Sequence, residues 1–300
     1  MAEKLWQSLY SDFLTTTTEA ASSISSSMSG TLTVPLTAAM TTYLIVYGWA
    51  IIRGSIQEPL MDFLFRAMKL FVIWTLVVQA GSYTAWVGST ITEGLPEFVD
   101  QLTGGGSGNA LPSDSIFAKT NSVAQDVLEF YAQKGGMSSR VAGPIYYFFT
   151  MAAGVLLSAI AFGFSLLVTL GFTLLAAIGP LFISFALFNF SRGWFFSWLG
   201  QLVNFAIYKV LLYVMAIVIL AMLENALTAN SKLGVVIGLF YFLGIVATSF
   251  FLFFLLPSMA SALSAGAGAS TGMVQRAVER RLGIPTSSSS SYEGSATRSG

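Results

Sequence analysis

Residues 141–191 read VAGPIYYFFTMAAGVLLSAIAFGFSLLVTLGFTLLAAIGPLFISFALFNFS, and between the bracketing Arg140 and Arg192 there is no Asp, Glu, Lys, Arg or His. The run is roughly fifty residues long, more than twice the ~20 that cross a bilayer as a helix. No soluble core accommodates an apolar stretch of that length. Near its far end stands Gly179-Pro180, where proline removes a backbone donor and its ring clashes with the preceding turn. The stretch therefore predicts a long helix from about Ile145, broken or kinked at Gly179-Pro180, whose remainder lies re-entrant or interfacial. A second reading folds it into a hairpin near 146–166 and 168–189.

Composition agrees with a membrane protein. Hydrophobic residues make up 55% of the chain and charged residues 9%, where soluble domains carry about a quarter charged, and the mean hydropathy is +0.73. Fourteen acids balance 14 bases, so there is no global field of the kind that grips nucleic acid. The chain has no Cys and no His. That excludes disulfides, thiol nucleophiles, Cys- or His-ligated metal and Ser-His-Asp triads, and neither a cofactor nor a metal is expected. The first thirty residues carry Glu3, Asp12 and Glu19 and lack an apolar core, unlike a secretory signal.

The pattern outward from the central run predicts an all-α polytopic membrane protein. Residues 1–33 form a polar N-terminal segment, with Leu5, Trp6, Leu9, Phe13 and Leu14 at helical spacing in a short amphipathic helix, then a Ser/Thr/Ala-rich stretch read as a linker or an oligomerising helix. Residues 34–92 hold two crossings, about 34–52 and 70–90, joined by a loop with Arg53, Arg66 and Lys69 that the positive-inside rule places in the cytoplasm. Residues 93–143 then form a long periplasmic loop with a Gly-Gly-Gly-Ser-Gly linker at 104–108. It contains one helix, starting near Ser113 or Asp114 and stopped by Gly135-Gly136, with Val123, Val127, Phe130 and Tyr131 on one face. Residues 144–257 are the transmembrane core, with the Gly-Pro break and later crossings near 202–223 and 234–256. Residues 258–300 form a Gly/Ala/Ser-rich tail with Arg276, Arg280, Arg281 and Arg298, read as disordered and cytoplasmic. Counting the central run once gives five crossings, N-terminus out and C-terminus in; the hairpin gives six.

Few ionisable groups fall inside the spans. Lys209 sits about a turn and a half into its helix, and Gln201, Asn204 and Tyr208 form a polar stripe beside it. Lys209 can snorkel to the interface while the stripe bonds a neighbouring helix, or the four residues can line a hydrated passage, since intramembrane charge is costly. Thr33, Thr37 and Thr41 form a second stripe, of the kind that packs helices. Gly234-x-x-x-Gly238 and Ala159-x-x-x-Gly163 permit close helix approach. No Walker lysine follows a glycine loop and no acid pair lies within a span, which argues against ATP hydrolysis and against catalysis.

At the break the residues Ala176-Ala177-Ile178-Gly179-Pro180-Leu181-Phe182-Ile183, then Ala186-Leu187-Phe188, Ser191-Arg192-Gly193-Trp194-Phe195 and Trp198-Leu199 resemble the signature of the TrbL-like polytopic inner-membrane proteins of type IV secretion and conjugation systems. Ser191 stands where threonine is common in that pattern. The resemblance makes Gly179, Pro180, Phe182, Arg192, Trp194 and Trp198 the motif residues. It implies a subunit of the bacterial inner membrane that supports pilus biogenesis and translocation of DNA-relaxase or protein cargo. It further implies a homo-oligomer, a pentamer being plausible, in contact with membrane lipid, a minor pilin or stalk protein, the major pilin, secretion ATPases and core-complex proteins, and transiently with single-stranded DNA or protein cargo. The alternative from a different class is a small-solute transporter or ion channel, which inverted sequence halves or several intramembrane charges would favour.

Overall fold

The computed structural model describes residues 5–54, 60–102, 111–188, 191–233 and 235–281. Among them every regular element is helical and no strand occurs. Helix α1 is Leu5–Ile52, α2 Leu60–Val78, α3 Ala80–Tyr83, α4 Leu95–Leu102, α5 Pro112–Lys134, α6 Met137–Ala177, α7 Gly179–Phe185, α8 Arg192–Leu233 and α9 Val235–Arg281. Two π-helical turns, Thr84–Gly88 and Thr90–Gly94, join α3 to α4.

Helix α6 is uninterrupted over 41 residues, about 60 Å at 1.5 Å per residue. The central run is thus one helix ending before Gly179-Pro180, and the hairpin does not form. It begins earlier than Ile145, since Pro144 lies eight positions in without stopping it. Helix α8 crosses it where Gly171 leaves room for the Phe205 ring. Helix α9 runs back along α8, with Ser264 hydrogen-bonded to Asn204 at 3.1 Å. Phe164 of α6 stacks on Phe253 and meets Tyr208 edge-on, closing a core with Phe172, Leu212, Ile219 and Leu256.

Four helical stretches are long and apolar enough to cross a membrane: Trp6–Ile52, Met137–Ala177, Arg192–Asn225 and Phe240–Ala265. The stretch expected to cross at 70–90 is divided between the end of α2, α3 and the π turns. Helix α2 is apolar but carries three charges, Asp62, Arg66 and Lys69, within its 19 residues.

The Ser/Thr stretch before residue 34 is helical, continuous with the more apolar residues 34–52 in a single 48-residue helix. Its hydroxyls bond back to carbonyls three or four residues earlier, as from Thr16 to Asp12 and Ser22 to Glu19, so polar side chains are satisfied without breaking the ladder. Thr37 accepts a 2.9 Å hydrogen bond from the Trp74 indole, and Tyr47 stacks on Phe63. This part of the threonine stripe therefore packs α1 against α2.

Helix α5 starts at Pro112 with Leu111 at the N-cap and ends at Gly135, whose φ of 64° suits glycine. The next glycine turns the chain back into α6, against which α5 packs over its length. A Cβ at Gly154 would overlap Thr120, and Tyr131 stacks on Tyr146. Val123 and Val127 are buried on the expected face, whereas Phe130 is exposed. The glycine run at 104–108, Gly234 and the tail beyond 281 lie outside the described residues.

Candidate functional site at the helix break

The last carbonyls of any helix lack partners within it, and proline removes one donor more. At the end of α6 two of the carbonyls exposed by the break are answered by side chains from distant segments. The Ala176 carbonyl, whose partner four residues on would be the nitrogen of Pro180, accepts a hydrogen bond from the Tyr83 hydroxyl of α3. The Leu175 carbonyl accepts one from the Trp198 indole of α8 at 3.0 Å. Tyr83 is 1% exposed and Trp198 4%, so both bonds lie in apolar surroundings, where an unmet carbonyl is expensive.

Gly179 makes the arrangement sterically feasible. A Cβ there would overlap the Tyr83 phenol, with Cζ only 2.7 Å away, closer than carbon atoms pack. Pro180 follows at the start of α7, where its fixed φ suits a first helical turn. Helix α7 packs against α1, α2 and α8, which holds the short segment in place after the break.

Phe182 stacks on Trp198, with centroids 6.3 Å apart and planes 8° from parallel, and Phe185 meets Trp194 edge-on at 5.0 Å. Trp194 is itself 60% exposed, its outer face free for lipid or a partner. Ser191, 2% exposed, donates to the Phe185 carbonyl at 2.8 Å. The Arg192 amide donates to the Phe188 carbonyl at 3.0 Å, which starts α8, while its side chain is half-buried. The motif residues thus converge on one aromatic knot around the break.

The four residues of the polar stripe do not converge. Asn204 reaches Gln201 at 3.5 Å and accepts from Ser264, toward α9. Tyr208 is buried against Phe164. Lys209 turns the other way, toward α4. Its Nζ lies 2.9 and 3.0 Å from the two carboxylate oxygens of Asp100 and donates to the Pro96 carbonyl at 2.8 Å. Tyr213, one turn along α8, also bonds Asp100. The pair forms one wall of a cleft of about 300 Å³, lined further by Tyr10, Thr92, Glu93, Glu97, Thr169 and Phe172.

The start of α1 is tied to the same region. Tyr10 hydrogen-bonds Thr169 at 2.9 Å, and Trp6 packs on Phe162. Asp114 of α5, 4% exposed, accepts the backbone N–H groups of Trp6 and Gln7. It therefore caps a different helix from the one it was expected to start. Burial raises its carboxyl above the ordinary carboxylate value, while the two amides act against that rise. Sequence reasoning missed Tyr83, Asp100 and Tyr10. Their partners lie 93, 109 and 159 positions away, and no local spacing announces such pairs. Only the need of a Gly-Pro break for an outside donor points toward a buried Tyr.

The profile of the TrbL/VirB6 plasmid conjugal transfer proteins matches residues 40–259, from within α1 through the break and into α9. Protein VirB6 of Agrobacterium fabrum (strain C58) is 30% identical over 209 residues, covering 67% of this chain and 66% of that protein. Type IV secretion system protein VirB6 of Bartonella henselae is 26% identical over 250 residues, 80% of this chain and 75% of that one. The protein of the same name in Bartonella quintana is 25% identical over 247 residues, again 80% and 75%.

Proposed function

We propose, from the premise that this chain belongs to the TrbL/VirB6 family of plasmid conjugal transfer proteins, that it is the scaffold or channel subunit of the inner membrane on which a transfer apparatus is built. It is a multi-pass membrane component of a type IV secretion system. In the proposed role several copies assemble with periplasmic N-termini and cytoplasmic C-termini. They support pilus biogenesis through a minor pilin and the major pilin, work beneath the core complex, and pass DNA-relaxase or protein cargo driven by secretion ATPases.

The observation that carries this reading is the braced break. The profile spans Tyr83, Gly179-Pro180 and Trp198 together, and those residues make one closed hydrogen-bonded unit rather than a flexible kink. A fixed break of that kind suits an architectural part, and transport of a small solute by alternating access would call for a mobile one. Recovery of the protein from inner membranes in mild detergent, with mass spectrometry of its companions, tests the role. A minor pilin and secretion ATPases should accompany several copies of the chain. A small oligomer with no such companions would overturn the reading, as would normal pilus formation and transfer by a Gly179→Leu, Pro180→Ala variant.

A further inference from the structure

One slice across the bundle, at the height of residues 167–174 of α6, has two chemically opposite sides. At about 100° per residue, Leu167, Leu170 and Leu174 fall on one side of α6, and Val168, Thr169 and Phe172 on the other. The three leucines are 46%, 38% and 54% exposed. Met259 and Leu263 of α9, beside the Asn204–Ser264 contact, are likewise exposed. The exposed side chains of α6 on this side are apolar and suit acyl chains.

The other side of the same slice is held by the start of α1 and by α4. The Tyr10–Thr169 hydrogen bond fixes the height of α1, and Thr92, Glu93, Pro96 and Glu97 share the cleft with Val168, Thr169 and Phe172. Here Ser11, Asp12, Glu93 and Glu97 are exposed. Asp100 is compensated by Lys209. No Lys or Arg occurs in residues 5–52 or 70–102. Exposed carboxylates at the depth of a charge-free stretch of α6 cannot face lipid without a large penalty.

We infer that the face formed by Ser11, Asp12, Glu93 and Glu97 borders water at bilayer depth, as the inner, acidic wall of a space enclosed by several copies of the chain. The inference rests on the oligomer reading above and goes further, since it says which side of each copy turns inward. The α6–α9 side then faces lipid. The acidity of the wall makes the enclosed space attractive to cations and unfavourable to phosphate backbones, so it is a hydrated wall and not a track for nucleic acid.

The absence of native cysteine permits a direct test with single-cysteine variants of the full chain in native membranes. Ser11→Cys, Glu93→Cys and Glu97→Cys report the acidic side, and Leu167→Cys and Leu170→Cys the apolar side at equal height. The acidic-side thiols should react with membrane-impermeant methanethiosulfonates and the leucine-site thiols should not. At Ser11→Cys the cationic trimethylammonium reagent should outpace the anionic sulfonate by about tenfold, a difference that salt reduces. Reaction at both sets of sites would place this slice outside the bilayer, and silence at both would bury the acidic face against protein or lipid; each overturns the inference. Cross-linking between copies reads the oligomer separately. A single-copy chain with reactive acidic-side thiols would remove the oligomer and leave the hydrated face, and an oligomer with silent thiols would do the reverse.

Discussion

Substituting Gly179 by Ala probes the break at its tightest point. A methyl group there would stand 2.7 Å from Cζ and 3.0 Å from Cε2 of Tyr83, against an ordinary carbon separation of about 3.5–4.0 Å. The phenol must then retreat by roughly 1 Å, which also removes its hydrogen bond to the Ala176 carbonyl. Overpacking costs about 1–3 kcal/mol, and a buried acceptor left unmet about 1–3 kcal/mol more. Gly179→Ala should therefore lose about 2–6 kcal/mol of stability. Tyr83→Phe alone removes the donor while keeping most of the ring, at about 1–3 kcal/mol. In the double variant the hydrogen bond is counted once, so the losses should fall short of their sum by about 1–3 kcal/mol. Denaturant unfolding in mild detergent, followed by far-ultraviolet circular dichroism, measures all four corners of the cycle. Where unfolding is irreversible, inactivation half-lives rank them instead. A Gly179→Ala loss under about 0.5 kcal/mol, strictly additive with Tyr83→Phe, would refute the claim that this phenol occupies the space beside Gly179.

Trp198→Phe keeps an aromatic ring against Phe182 but loses the donor to Leu175, and should cost about 1–3 kcal/mol in the same unfolding assay, with helix content at room temperature unchanged. Lys209→Met strands the Asp100 carboxylate and should cost about 3 kcal/mol, the low end for a buried pair because Asp100 keeps some solvent contact; adding Asp100→Leu should recover most of it. Asp114→Ala should loosen the start of α1 by about 1 kcal/mol, read as faster proteolysis near residue 6, and Asp114→Asn should cost less. The Asp114 carboxyl is raised in the folded state, so its contribution is full below the ordinary carboxylate value and declines as pH rises through the raised one. Asp114→Asn should flatten that decline in a pH series of unfolding midpoints. Gly154→Ala, against Thr120, should destabilise by about 1–3 kcal/mol, whereas Gly163→Ala, with open space around it inside α6, should stabilise the single chain by up to about 1 kcal/mol.

The long apolar helix and its stop could be read from residues 141–191 because charge absence and Gly-Pro are local signals. The end of α5 was legible for the same reason, since Gly135-Gly136 allows few backbone conformations other than a turn. The continuity of α1 through residues 15–33 was legible only as one of two readings. Serine and threonine depress helix propensity through bonds to nearby backbone, yet here those bonds run to carbonyls already inside the helix. The motif residues of the break were legible as a pattern, but not the reason for it, which is a tyrosine in another segment filling the space that Gly179 leaves. The partners of the Lys209 stripe were not legible from its spacing. Neighbours on one helix face part company when three different helices surround it, and Lys209 found Asp100 while Asn204 found Ser264.

The two donors at the break also set an order of events during synthesis. A chain is made from its N-terminus, so Tyr83 is already present when Ala176 emerges, 93 positions later. Trp198 follows Leu175 by 23 positions. The end of α6 can therefore be closed only once the first turns of α8 have been made. A copy truncated before Trp198 would leave the Leu175 carbonyl without that donor, a chemical mark by which an unfinished copy differs from a finished one.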